Sequence, residues 1–246
     1  MLSPDVSGRT ALVTGSAKGL GRAIALDLAT LGAPVAVQYH SSDAAAAATA
    51  DEARDRGAPA ATAIQADVTD PGSVDALFEA VESDLGEVDV LVNNVGDFAP
   101  VHWEDVDVDT WHRVIDTNLT GTYLATRRAL PSMRERQWGR IVNVGYASSD
   151  RGLVSPKNFP YFAAKAGVLM FTRMVAADTQ NDGVTVNAVS PYVIENSAEF
   201  PEELPRDRPA AFDDLTQAVR FFLDEDSDYV SGANLTVDGG WLPERV

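Results

Sequence analysis

The chain has 246 residues, a hydrophobic share of 45% and a formal net charge of −18, enough length for one large α/β domain or two small ones around a sizeable core. So acidic a surface repels nucleic acid and anionic membrane, and no apolar run reaches the ~18 residues that a transmembrane helix needs. Zero cysteines exclude disulfides, thiol catalysis and cysteine-ligated metal, and three scattered histidines (His40, His102, His112) form no metal-spaced cluster.

The N-terminus lacks a basic stretch followed by an apolar one, which points to a cytoplasmic protein. Asp is about twice as frequent as Glu, and three lysines stand beside sixteen arginines. That balance resembles proteins of salt-loving archaea, where screening makes a high net charge tolerable; a high-GC bacterium is the alternative source.

In chain order, Thr10–Thr14 reads as a first buried strand, followed by a glycine-rich turn and a helix over Arg22–Leu31. A second strand covers Pro34–Gln38, and an alanine-rich helix runs from Ser42 to Arg56. Val74, Leu77, Phe78, Val81 and Leu85 recur at helical spacing, with Asp70 as N-cap and Pro71 in the first position. Further strands follow at Val88–Val92, Arg140–Val144, Val184–Ala188 and Asn234–Val237. Nearly continuous Val/Ile runs alternating with helical patterns are the signature of βαβ units. The fold class is therefore α/β, a Rossmann-like doubly wound parallel sheet in three α/β/α layers. We expect a single domain, 1–246, with a short substrate loop near 192–212. Within that loop Glu199–Pro209 carries three prolines and mixed charge, the composition of a mobile cover.

Gly15, Lys18, Gly19, Leu20 and Gly21 lie between the first strand and the helix it feeds. Glycines there let backbone approach a pyrophosphate, and a helix N-terminus offers N–H donors and a positive dipole end. The end of the second strand, Gln38–Ser42, holds no carboxylate to bind a ribose 2′-hydroxyl, while Lys18 stands in the loop. That favours NADP(H) over NAD(H), with Lys18 and Ser41 on the 2′-phosphate and His40 assisting. Further along, Tyr161 and Lys165 are one helical turn apart on one face. An ammonium beside a phenol lowers the phenol pKa toward working pH, fitting Tyr161 to exchange a proton with an alcohol or carbonyl oxygen.

Together these motifs resemble the short-chain dehydrogenase/reductase family across nearly the whole chain. Asp67-Val68 looks like its adenine-contacting pair, Asn94 and Gly96 fall in its Asn-Asn-Ala-Gly turn, and Asp238-Gly-Gly240 in its closing motif. The resemblance implies that Asn118 is the asparagine holding a water that links the lysine to solvent. It implies that Tyr161 is the acid/base, and that Lys165 also binds the nicotinamide ribose. Pro191 and Ile194 would meet the cofactor. The overall pattern is most like 3-oxoacyl reductases, which implies a carbonyl or acyl-thioester substrate; a sugar or other secondary-alcohol dehydrogenase is the alternative. A nucleotide-binding regulator is the reading from outside enzymology. The family's usual assembly implies a homotetramer or homodimer.

Two departures stand out. The family serine beyond the fifth strand falls on Tyr146 when counted from the strand and on Ser148 when counted back from Tyr161; one of the two meets the substrate oxygen, and Ser148 is the plainer expectation. The two counts differ by an insertion in the loop 150–160. After the sixth strand, Tyr192 replaces a glycine and Asn196 a threonine, and the following lid is shorter than in many relatives. Arg127, Arg128, Arg134, Arg136 and Arg140 form a basic island. It either docks an acidic acyl carrier or coenzyme A phosphates, or pairs with acids of a neighbouring subunit.

Overall fold

Each inner strand is aliphatic on both sides because both of its faces are covered. In the computed structural model, which describes residues 2–150, 155–197 and 199–241, Ala11, Leu12 and Val13 of β1 (Ala11–Val13) are all fully buried. Ala11 and Val13 join one core with α1 (Gly19–Thr30), α2 (Asp43–Asp55) and α7 (Phe212–Leu223). Leu12 joins the other, with α3 (Pro71–Asp84), α5 (Gly121–Arg136) and α6 (Phe159–Asp178). This is the period-two alternation of a strand buried between two helical layers.

Seven parallel strands form one sheet in the order β3-β2-β1-β4-β5-β6-β7. The others are β2 (Val35–Tyr39), β3 (Ala61–Gln65), β4 (Val90–Asn93), β5 (Gly139–Val144), β6 (Val184–Pro191) and β7 (Asn234–Val237). The chain moves outward from β1 to β3, then returns to place β4 on the other side of β1, with Val13 in register with both Val37 and Val92. Strand order reverses at this point, so the loops after β1 and β4 diverge and leave a crevice at the carboxyl edge of the sheet.

The Asp70 cap is present, its carboxylate accepting from Ser73 N at 2.7 Å with Pro71 in the first turn. β3 is missing from the sequence reading because Ala61–Gln65 is an edge strand paired only with β2, half exposed and without an aliphatic run. Short α4 (Val108–Ile115) and α7 were likewise unread; α7 buries Leu215, Val219, Phe222 and Leu223. Described residues of the segment 192–212 are joined by hydrogen bonds and an ion pair. Ala210 N donates to Val193 O, Glu195 N to Ala210 O, and Arg208 pairs with Asp214 at 2.6 Å. Among the described residues no helix is long and apolar enough to cross a membrane, and no group of His, Asp and Glu could hold a metal ion.

Candidate active site

The turn after β1 is shaped by what cannot fit in it. Gly15 (φ +64°) and Gly19 (φ +57°) take left-handed backbone, and a methyl group on Gly21 would collide with Gly15 O and Asn94 Nδ2. Gln38 clamps the turn from below: its Oε1 accepts from Gly15 N at 2.8 Å, and its Nε2 donates to Ala66 O at 2.7 Å. Asn94 does the same from β4, donating to Thr14 O and Gly15 O; its carboxamide therefore holds the turn. α1 opens at Gly19 with Leu20 and Gly21 buried, no side-chain cap and no acid in its first turn, so its leading N–H groups face the crevice. A Cβ on Gly19 would lie 2.6 Å from Asn196 Nδ2, which brings the end of β6 over the same turn. The cradle fits a dinucleotide pyrophosphate. Lys18, His40 and Ser41 are all exposed at its rim. Asp67 is held below the usual carboxylate range chiefly by the Thr69 hydroxyl and N–H, with His40 adding to the effect. Val68 is buried against Gly121.

The second half of the site gathers around Gly96. A Cβ there would sit 3.1 Å from Asn118 Oδ1 and 3.6 Å from Lys165 Nζ. Asn118 lies in a single π turn (Asp116–Thr120) between α4 and α5, a feature frequent at functional sites. Its Nδ2 donates to Asp97 O at 2.6 Å and Val114 O at 2.8 Å, while the buried Oδ1 has no donor among the described residues. Such an acceptor is costly unless a water or ligand satisfies it. Lys165, also buried, donates to Val144 O at 2.7 Å. Its Nζ is 5.7 Å from the centre of the Tyr161 ring, so the pair shares a helix face as the i, i+4 spacing required.

The electrostatics differ from the expectation. Burial, followed by the neighbouring Tyr146, pushes the Tyr161 phenol up, and burial pushes Lys165 down from 10.5 to about 8. The expected lowering of the phenol is absent because Lys165 gives its short contact to Val144 O and desolvation outweighs attraction at this range.

Tyr146 is the residue beyond β5 that meets Tyr161, with ring centres 5.7 Å apart at 70°. Its ring also contacts Phe162, Tyr192 and Trp241. Ser148 is buried with its Oγ unpartnered among the described residues. The loop 150–160, where the insertion was expected, falls partly on 151–154, outside the described residues. Pro191 ends β6 and accepts from Ala147 N; Ile194 bridges to Ala210. Tyr192 stacks flat on Trp241 at 3.8 Å and 9°. Trp241 was not foreseen, since that contact spans the chain from β6 to the segment after β7. Gln38 was read only for lacking a carboxylate; its role as a clamp follows from strand register.

Three arginines of the basic island are paired with acids of this chain, while Arg127 lies against the Tyr123 ring. Arg128 pairs with Glu82, Arg134 with Asp178 and Asp182, and Arg136 with Glu87 and Asp89. Arg140 is buried under Trp138 and donates to Gly139 O and Gly183 O. For Arg128, Arg134 and Arg136 this chain itself supplies acidic partners. His102 is a partly exposed loop residue and His112 an exposed residue of α4.

Known proteins carry the same architecture. A family model described as short chain dehydrogenase matches residues 9–206. A 3-oxoacyl-(acyl-carrier-protein) reductase of Haemophilus influenzae is 34% identical, covering 96% of this chain and 98% of its own. A 3beta-hydroxysteroid dehydrogenase of Eggerthella lenta is 36% identical, covering 96% and 94%. A crystal structure of gluconate 5-dehydrogenase from Burkholderia cenocepacia, in complex with NADP and tartrate, superposes with a TM-score of 0.86 at 32% identity over 95% of each chain. The chain belongs to the short-chain dehydrogenase/reductase family and is an oxidoreductase that binds a nicotinamide cofactor.

Proposed function

We propose that this short-chain dehydrogenase/reductase is NADP(H)-dependent and interconverts a ketone and a secondary alcohol, with Tyr161 as the proton donor and acceptor. One observation carries the reading: Lys165 and an Asn118 Oδ1 unpartnered among the described residues meet at Gly96, with the Tyr161 ring centre 5.7 Å from Lys165 Nζ, beside the glycine cradle at the reversal of strand order. The cofactor supplies the hydride. Tyr161 Oη protonates the substrate oxygen as it gains charge, and reverses that role in oxidation. Lys165 holds a positive charge near that phenol and is returned to its protonated state through the water that Asn118 orders. Tyr146 is the second hydroxyl on the substrate oxygen, in preference to Ser148, because its ring is the one in contact with Tyr161.

The 2′-phosphate is met by Lys18 and Ser41 with His40 beside them. Gly15, Gly19, Leu20 and Gly21 hold the pyrophosphate, Asp67 and Val68 the adenine. Asn94 acts by holding the glycine turn, and Gly96, Pro191 and Ile194 wall the nicotinamide side. Residues 1–246 work as one unit, with 192–212 as the substrate-side wall. The likeness to 3-oxoacyl reductases is a likeness of the whole chain; Arg128, Arg134 and Arg136 are already engaged by acids of this chain, which weakens the case for an acidic carrier. A cytoplasmic homotetramer or homodimer belongs to the same reading, supported by apolar Tyr123 on α5 and Met170 and Met174 on α6, all exposed.

The test pairs two variants. Tyr161→Phe should abolish NADPH-linked turnover while NADPH still binds by fluorescence titration, and Lys18→Ala should lower the NADPH-to-NADH efficiency ratio by about tenfold. Turnover by Tyr161→Phe at the native rate refutes the acid/base assignment. An unchanged ratio for Lys18→Ala refutes the phosphate assignment.

A further inference from the structure

The crevice is walled by rings. Tyr146 touches Tyr161, Phe162, Tyr192 and Trp241 at centroid distances of 5.7, 5.4, 6.4 and 6.4 Å, and Tyr192 lies flat on Trp241. None of the five belongs to either aliphatic core, and each is partly exposed, so together they form a surface. Tyr146 meets Tyr161 at 70° and Trp241 at 64°, which makes a corner of faces and edges. Aromatic pairs favour offset-stacked and edge-to-face arrangements, and such a corner takes a flat ring against one face with its rim toward the other.

The surroundings point the same way. Phe98 and Trp103 follow β4, Phe159 opens α6 two residues before Tyr161, and Phe200 lies in the segment after β6; all four are about half exposed. Two ion pairs lie on these segments and the helices that follow them, Arg113 with Asp97 and Arg208 with Asp214. With the remaining surface strongly acidic, an anionic substrate gains nothing on approach and a phosphate-bearing carrier is repelled.

Resting on the proposed function, we infer that the substrate is a free, uncharged, ring-bearing ketone or secondary alcohol seated in the Tyr146–Tyr192–Trp241 corner, and that Trp241 sets this preference. In the reductive direction the carbonyl carbon gains the hydride and its oxygen the Tyr161 proton, giving a secondary alcohol and oxidised cofactor.

The experiment compares 2-tetralone, acetoacetyl-coenzyme A and 5-ketogluconate with NADPH in the native enzyme and in Trp241→Ala, with acetone as a small ringless ketone. The ring-bearing ketone should exceed both anionic substrates in kcat/KM by about tenfold or more. Trp241→Ala should lower the tetralone-to-acetone ratio by about tenfold, mainly through KM. Preference for the thioester or the sugar acid, or a ratio unmoved by Trp241→Ala, overturns the inference and leaves the proposed function standing. No turnover of any of the four, with NADPH bound, overturns the proposed function and this inference with it.

Discussion

Replacing Lys165 with methionine should make the protein more stable and inactive. The ammonium is buried and its pKa lies near 8 instead of 10.5. At roughly 1.4 kcal/mol per unit, the charged form costs the fold about 3 kcal/mol at neutral pH. Methionine matches its length without the charge. It leaves Val144 O without its donor, a loss of about 1 kcal/mol. The net gain is about 2 kcal/mol, or roughly 4–8 °C in Tm for a chain of this size. The pH dependence has a definite sign. Between pH 8 and 10.5 the unfolded chain binds a proton that the native protein has released, so native stability rises through that window. The advantage of Lys165→Met should therefore be greatest below pH 8 and shrink toward pH 10.5. Thermal unfolding without cofactor, followed by circular dichroism from pH 7 to 10.5, measures it. A variant less stable than the native protein at pH 7, or an advantage that does not narrow with pH, would refute the reasoning. Confirmation would mark Lys165 as a residue held against stability, as expected of a catalytic group.

Tyr146→Phe should reduce kcat more than Ser148→Ala does, by about tenfold in steady-state assays; the reverse order would return the substrate-oxygen role to Ser148. Gly21→Ala should cost about 2 kcal/mol or more in chemical denaturation and eliminate NADPH binding, since the added methyl meets backbone at Gly15 O. Asp27→Ala should destabilise by about 3 kcal/mol, because it strips a bidentate partner from the buried Arg220 guanidinium. Raising KCl from millimolar to molar should raise Tm by several degrees by screening the net charge of −18; a flat or falling Tm removes the case for adaptation to salt.

The sheet was legible because the inner strands are aliphatic on both sides and the turns after β1 and β3 carry glycines and an Asp70 cap, information held within a few adjacent residues. β3 escaped for the converse reason: an edge strand is stabilised by pairing with β2, and Ala61–Gln65 has no pattern of its own. The pairing of Tyr161 with Lys165 was written in the i, i+4 spacing, and the cradle in the glycines after β1. What only the tertiary structure decided depends on contacts across long chain separations. Strand order places Gln38 and Asn94 under the glycine turn as clamps, and packing surrounds the Tyr161 ring so that desolvation raises its phenol where spacing alone predicted a fall. Three of the arginines that looked like a docking patch meet acids 44 to 49 positions away in their own chain, as Arg128 meets Glu82 and Arg134 meets Asp178. Trp241 reaches the site only because β7 lies beside β6. Local spacing thus determined which groups could do the chemistry, whereas packing determined their charge states and the aromatic walls around them.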